Sequence, residues 1–155
     1  MPDPKIIQAE IEIDAPPDDV FDILTDLDRY AEWNPFTPRI DSTLELGAPV
    51  DMRVRLFEGR RLLRQVEYVT VVNRPTQLCW GANIPLRGLV RADRCQTLEP
   101  LPGERTRYIC SDQFSGWLTP IVMRYFGPAV KRGFDDCAFA LKQHAEIKRR
   151  NRVQR

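Results

Sequence analysis

The stretch TPIVMRYFGPAVKRGFDDCAFALKQHAEIKRR, Thr119 to Arg150, decides the fold. Apolar residues recur through it at Ile121, Val122, Tyr125, Phe126, Ala129, Val130, Phe134, Cys137, Ala138, Leu141 and Ala145. That three- and four-residue spacing marks one broad helical face. Arg124, Lys131, Arg132, Asp135, Asp136, Lys142 and Glu146 fill the complementary positions, so the other side faces water. Gly127-Pro128 interrupts the pattern and predicts a kink or a fresh helix start, because proline lacks an N–H and clashes with the preceding turn. A helix this long needs an extended apolar surface to lie on. No other stretch reads as a comparable helix, so that surface is expected to be a sheet.

The remaining chain supplies the sheet. Ile7, Ala9, Ile11 and Ile13 alternate with Gln8, Glu10, Glu12 and Asp14, the two-residue period of a strand buried on one face. Ala15-Pro16-Pro17 ends it. Pro17 to Thr25 then reads as a short amphipathic helix with acids in its first turn. A second short helix at Asp28 to Glu32 stops at Trp33-Asn34-Pro35. Further strands are expected at Arg39 to Leu46, around Val50 to Leu56, and at Leu63 to Asn73 with Val66, Tyr68, Thr70 and Val72 on one face. Three more follow at Gln77 to Ile84, Leu89 to Glu99 and Arg105 to Phe114, with Pro85-Leu86-Arg87-Gly88 as a connection. Short turns between successive strands predict an antiparallel meander. The fold class is α+β: a curved antiparallel sheet of seven strands wrapped around a long C-terminal helix, with two short helices after the first strand.

At 155 residues the chain suits one domain, expected over residues 1–150, with a basic tail at 151–155. A net charge of +1 argues against a surface built wholesale for nucleic acid or an anionic membrane. Five cations in the eight positions Lys148 to Arg155 read as a solvated helix end, with contact to an acidic partner, RNA or a membrane surface as the functional alternative. No run approaches the roughly 18 apolar residues of a membrane span, and no basic, apolar leader opens the chain. A cytoplasmic monomer or homodimer without membrane insertion is expected. Cys79, Cys95, Cys110 and Cys137 show no metal-site spacing and read as buried reduced thiols. No metal or cofactor is expected. His144, the only histidine, reads as surface near the carboxyl end of the long helix.

Three stretches carry a family resemblance. Ile11 to Phe21, with its strand, Ala15-Pro16 turn and helix start, is the first; Asp26 to Pro35, ending in Trp33-Asn34-Pro35, is the second; Gln113 to Pro120 is the third. Together they resemble the SRPBCC superfamily of polyketide cyclases, START-type lipid-transfer domains and birch-pollen-allergen-like proteins, nearest its polyketide cyclase-like branch. The resemblance implies a helix-grip fold and a hydrophobic cavity under the C-terminal helix. Across the family that cavity holds sterols, lipids, polyketides, quinones or plant hormones. It implies no particular reaction, and Trp33, Asn34 and Pro35 read as a helix stop and packing anchor.

Strand alternation points to candidate site residues. With Leu98 inward, Gln96, Arg94 and Ala92 share its side, whereas the opposite register buries Cys95 and Thr97 and leaves Arg94 in water; with Phe114 inward, Asp112, Cys110 and Tyr108 follow. Arg94 and Asp112 either pair with each other or address an oxygen-rich ligand, since a buried charge costs several kcal/mol unless paired. Tyr68, Trp80, Gln96, Phe126, Val130 and Phe134 complete the expected lining of core or cavity. The first functional reading is a module binding a small apolar or amphipathic ligand. The alternatives are a polyketide aromatase/cyclase using Arg94, Tyr108 and Asp112, and a protein-interaction domain.

Overall fold

The structure, a computed structural model, describes residues 2–83 and 89–155, so the expected connection at Pro85 to Gly88 lies outside the described residues. Seven strands form one antiparallel sheet in the order β1-β7-β6-β5-β4-β3-β2. They are β1 (Lys5–Ile13), β2 (Arg39–Asp41), β3 (Pro49–Val54), β4 (Leu63–Asn73), β5 (Gln77–Asn83), β6 (Arg91–Leu101) and β7 (Arg105–Ser115). Helix α1 (Pro17–Thr25), a short 3-10 turn (Leu27–Arg29) and α2 (Tyr30–Trp33) carry the chain from β1 at one edge to β2 at the other. Helix α3 (Thr119–Val153) fills the concave side. This is the helix-grip fold.

Side-chain chemistry explains the short elements. Pro17 opens α1, where a missing N–H costs nothing, and Asp18 and Asp19 face the positive end of its dipole. Val20, Phe21, Ile23 and Leu24 bury its inner side. Asn34 stops α2: its Oδ1 accepts hydrogen bonds from the backbone N–H groups of Phe36 (3.0 Å) and Thr37 (2.8 Å). Trp33 is buried and packs edge-on against Tyr30, whose hydroxyl donates to the Leu24 carbonyl at 2.6 Å. The Trp33-Asn34-Pro35 stretch is thus a stop and an anchor.

Helix α3 runs through Gly127-Pro128 without a fresh start, contrary to one of the two expectations for that dipeptide. Proline deprives only the carbonyl of Arg124, an exposed residue, where water replaces the lost donor. Its carboxyl half seals the sheet edge at β1. Lys131 Nζ donates to the Gln8 carbonyl and Lys142 Nζ to the Glu12 carbonyl, each at 2.8 Å. Glu146 Oε1 accepts the Asp14 N–H at 2.9 Å. Arg149 bonds Asp14 and Glu104, and Arg152 pairs with Asp19. The basic run Lys148 to Arg155 is therefore helical to Val153, with two of its cations, Arg149 and Arg152, tied to the domain. His144 is half-buried, its ring stacked beside Trp33 rather than free at the surface.

Three further expectations are corrected. The strand expected over Arg39 to Leu46 stops at Asp41, because Leu44 takes a left-handed backbone (φ 58°) and its N–H bonds the Ser42 hydroxyl. On β4 the buried residues are Glu67 and Val69, while Tyr68 and Thr70 face outward and Val72, past a bulge that shifts the register, is exposed near the strand end. Cys79 and Cys95 are not reduced thiols: antiparallel register places them directly opposite on β5 and β6, Cα atoms 4.2 Å apart, and they form a disulfide. Cys110 and Cys137 are free and buried.

Gly133 marks where α3 meets the loop after α2. A β-carbon there falls 2.1 Å from the Phe36 ring, which also packs edge-on against Phe134 at 5.6 Å between centroids. Gly133→Ala is expected to destabilise the fold by about 1–3 kcal/mol, despite the better helix propensity of alanine. Urea denaturation checks this; an unchanged or raised midpoint would show that Phe36 moves freely.

Candidate functional site

The apolar stripe of α3 meets the sheet unevenly. Phe134, Cys137, Ala138, Leu141 and Ala145 are buried in the main core with Trp80, Leu98 and Tyr108. Upstream, Leu118, Val122, Phe126 and Val130 stand over an unfilled space of about 360 Å³, within the range of small-molecule pockets. One small residue on the sheet, Ala92, lies in its wall. Ala82 and Ala92 face each other across β5 and β6, and Ala92 faces Phe114 across β6 and β7. One step along each strand, the same face carries Trp80 and Arg94.

The cavity walls are mostly apolar, with a polar focus at the inner end formed by Arg94, Asp112 and Glu67 and with Gln65 beside them. Arg94 and Asp112 are cross-strand neighbours in register, yet no ion pair joins them. Arg94 Nε and Asp112 Oδ1 are both buried without a hydrogen-bond partner. The guanidinium instead lies against aromatic faces, its carbon 4.8 Å from the Phe134 centroid, 5.7 Å from Trp80 and 6.0 Å from Phe36. Cation–π attraction offsets part of its desolvation. The Cys137 thiol beside it is pushed by burial up to about 12 and stays neutral.

Both carboxyls are held away from their ordinary ionisation. Burial pushes Asp112 from 3.8 up to about 7, against the opposing pull of Arg94. Burial, reinforced by the charge of Asp112, pushes Glu67 from 4.5 up to about 8. Near neutral pH each is poised between donor and acceptor, while Arg94 is permanently a donor.

The residues expected at the site divide into three groups. Arg94, Asp112, Phe114, Phe126, Val130 and Phe134 line the cavity together. Trp80, Gln96 and Tyr108 are buried beneath it, with the Tyr108 hydroxyl donating to Gln96 Oε1 at 2.7 Å. Tyr108 is thereby spoken for within the core, and burial pushes its phenol well above its usual range. Tyr68 is half exposed on the outer face of β4 and belongs to no cavity wall. Glu67 escaped the sequence reading. A lone acid flanked by Val66 and Tyr68 gives the appearance of a solvent-side residue, and only its distance from any other acid on the strand hinted otherwise.

A second hollow of about 550 Å³ lies between α1 and the end of α3. Its walls are mostly charged surface side chains, among them the Arg152–Asp19 pair, with Ile23 and Ala145 as its apolar members. Among the described residues no cluster of His, Cys, Asp and Glu is placed to hold a metal, and no helix is long and apolar enough to cross a membrane.

A sheet gripping one helix across an apolar cavity with a polar inner end defines a helix-grip cavity protein. The chain belongs to the polyketide cyclase / dehydrase and lipid transport family, whose model matches residues 5–146. It is similar in fold to the ZhuI aromatase/cyclase from Streptomyces sp. R1128, at 16% identity over 93% of this chain and 94% of that one, TM-score 0.73. It is also similar to norcoclaurine synthase from Thalictrum flavum in complex with dopamine and hydroxybenzaldehyde, at 15% identity over 90% and 85% of the two chains, TM-score 0.68. Ara h 8.0201 matches at 12% identity over 92% and 98%, TM-score 0.69. No curated protein sequence matches the chain.

The raised carboxyls make stability depend on pH in a defined direction. Both folded values lie above the ordinary 3.8 and 4.5, so the folded chain keeps protons that the unfolded chain has released between about pH 4 and pH 8. The contribution of the pair is thus fully present at the acid end and lost as pH rises through about 7 and 8. Urea midpoints compared across this window should fall less steeply in Asp112→Asn combined with Glu67→Gln than in the parent. Equal slopes would show that the two carboxyls titrate normally.

Proposed function

We propose that the chain binds a small amphipathic molecule, with its apolar body against Phe114, Leu118, Val122 and Val130 and an oxygen-bearing end at Arg94, Asp112 and Glu67. One observation carries this reading: a buried guanidinium N–H and a buried carboxylate oxygen face the same apolar cavity, neighbours in register, and do not satisfy each other. An unpartnered buried polar group costs about 1–3 kcal/mol, more when charged, and a ligand oxygen removes that cost. The family's description, which couples cyclase and dehydrase activity with lipid transport, supports a ligand of this kind.

The ionisation of the carboxyls favours a second reading within the same cavity, acid–base catalysis on a ketone-bearing substrate. A group poised near neutrality is suited to proton transfer. In that reading Arg94 polarises the carbonyl, one carboxylate takes a proton from the neighbouring carbon, and the other carboxyl, still protonated, gives one to the oxygen. Glu67 replaces Tyr108 in the set, since Tyr108 lies beneath the cavity. The aromatase/cyclase neighbour supports this as a possibility of the fold.

Anilinonaphthalene sulfonate, an aromatic body with one anionic end, is the probe that tests the binding reading. The parent should take up one equivalent with enhanced emission. Arg94→Gln should weaken uptake by about tenfold or more, and Ala92→Phe, which fills the space, should abolish it while the fold persists by circular dichroism. Uptake indifferent to both substitutions would place the dye elsewhere and remove the support for this cavity. Accelerated deuterium uptake beside the ketone of an aryl ketone, lost in Asp112→Asn with dye binding intact, would separate catalysis from carriage.

A further inference from the structure

A second set of apolar side chains, at the start of the helix that roofs the cavity, is exposed to solvent. Trp117, Ile121 and Tyr125 follow one another at four-residue spacing and are 63%, 56% and 69% exposed. Ile121 and Tyr125 lie one above the other on α3, and Trp117 sits in the turn that leads into the helix, so the three make an exposed apolar ridge. Leu118, Val122 and Phe126, each one residue further on, line the cavity. The ridge therefore runs alongside the roof. At its far end Phe126, 39% exposed, meets Phe57 at 6.2 Å between centroids, which extends the apolar surface to the β3–β4 loop.

Charge around this surface is one-sided. Arg60 lies over the Phe57 ring at 5.9 Å, Arg61 follows it, and Arg124 stands on α3 between Ile121 and Tyr125. None of these three arginines makes an ion pair among the described residues, whereas on the outer sheet face Arg64 pairs with Asp51, Arg91 with Asp93 and Arg107 with Glu10. The single acid in the same loop is Glu58. A chain of net charge +1 thus collects uncompensated guanidinium groups beside its exposed tryptophan and tyrosine.

We propose that the Trp117–Ile121–Tyr125 ridge, with Phe57 and the flanking Arg60, Arg61 and Arg124, is a docking surface for an anionic lipid bilayer. Tryptophan and tyrosine settle where apolar chains meet headgroups, and arginine reaches the phosphates above them. Exposed arginines with no acid to answer them match an anionic surface. A second copy of this chain fits less well, because a two-fold contact sets each patch against itself and brings the arginines together. The surface lies outside the cavity, and docking places the cavity roof at the lipid interface without any spanning segment.

Vesicle co-sedimentation and tryptophan emission test the proposal on the full chain. Trp33 and Trp80 are buried at 7% and 2%, so a change on binding reports Trp117. Equimolar phosphatidylcholine–phosphatidylglycerol vesicles should bind the protein and shift its emission to the blue, phosphatidylcholine alone should bind weakly, and added salt should release it. Trp117→Ala together with Tyr125→Ala should reduce affinity by at least roughly tenfold. Arg60→Gln and Arg61→Gln should each cost roughly fivefold. Ala92→Phe should bind vesicles like the parent, which separates this surface from the cavity. Absence of binding to either vesicle, binding unchanged by the substitutions, or dimerisation that shields Trp117 without lipid would each overturn the proposal.

Discussion

The inward apolar stripe of helix α3 packs densely on the sheet for only part of its length. From Phe134 to Ala145 the stripe is sunk among Trp80, Leu98 and Tyr108; up to Val130 it packs only on the smaller cluster of Val90, Ala92 and Phe114 and leaves the cavity beside it. Everything specific to the molecule follows from that divergence. The close half holds the fold together through dense packing, where each lost methylene is felt. The other half leaves room that no side chain fills, with the small Ala92 among the sheet residues that face it. One helix thus serves as both wedge and roof.

The inner end of the cavity is energetically awkward. Arg94 is shut away from water with aromatic rings around its guanidinium, and its in-register neighbour Asp112 carries an oxygen with no partner. A chain selected only for stability would pair these two or replace them with apolar residues, since well-packed hydrophobes often equal or exceed a buried ion pair. Violations of this kind concentrate where a protein does something. Glu67, approaching the same space from β4, adds a third group for which burial and charge work against one another.

Much of this was legible in the amino-acid sequence, for reasons that differ by element. On β1, polar residues alternate cleanly with Ile7, Ala9, Ile11 and Ile13, so phase could be read directly. On β6 and β7, Leu98 and Phe114 taken as inward anchors bring Arg94 and Asp112 inward together, as the structure has them, but the opposite phase was equally open to the sequence. β4 misled because both of its faces carry β-branched or aromatic residues, and the bulge between Val69 and Val71 shifts its register. Its inward acid was therefore invisible as such. The Cys79–Cys95 bond was hidden for a related reason. Composition cannot show which residues of two strands stand opposite, and a separation of 16 in sequence gives no hint of a register match. The resemblance to a helix-grip family gave the frame but not the cavity's polar end, which depends on side chains outside the shared stretches.

The side chains that seal β1 have a bearing on assembly. An edge strand presents unpaired backbone groups at regular intervals, an open invitation to another strand. Here the ammonium groups of Lys131 and Lys142 occupy the carbonyls of Gln8 and Glu12, and the Glu146 carboxylate takes the Asp14 N–H. Donors and acceptor are spaced along a helix yet meet the edge where a neighbouring strand would. Asp135 and Glu146 in turn hold the two lysines at i,i+4 spacing. At the opposite edge β2 is three residues long, too short to template much. An open, strongly curved sheet is thereby closed to polymerisation at both ends, as a barrel is, without its first and last strands ever meeting.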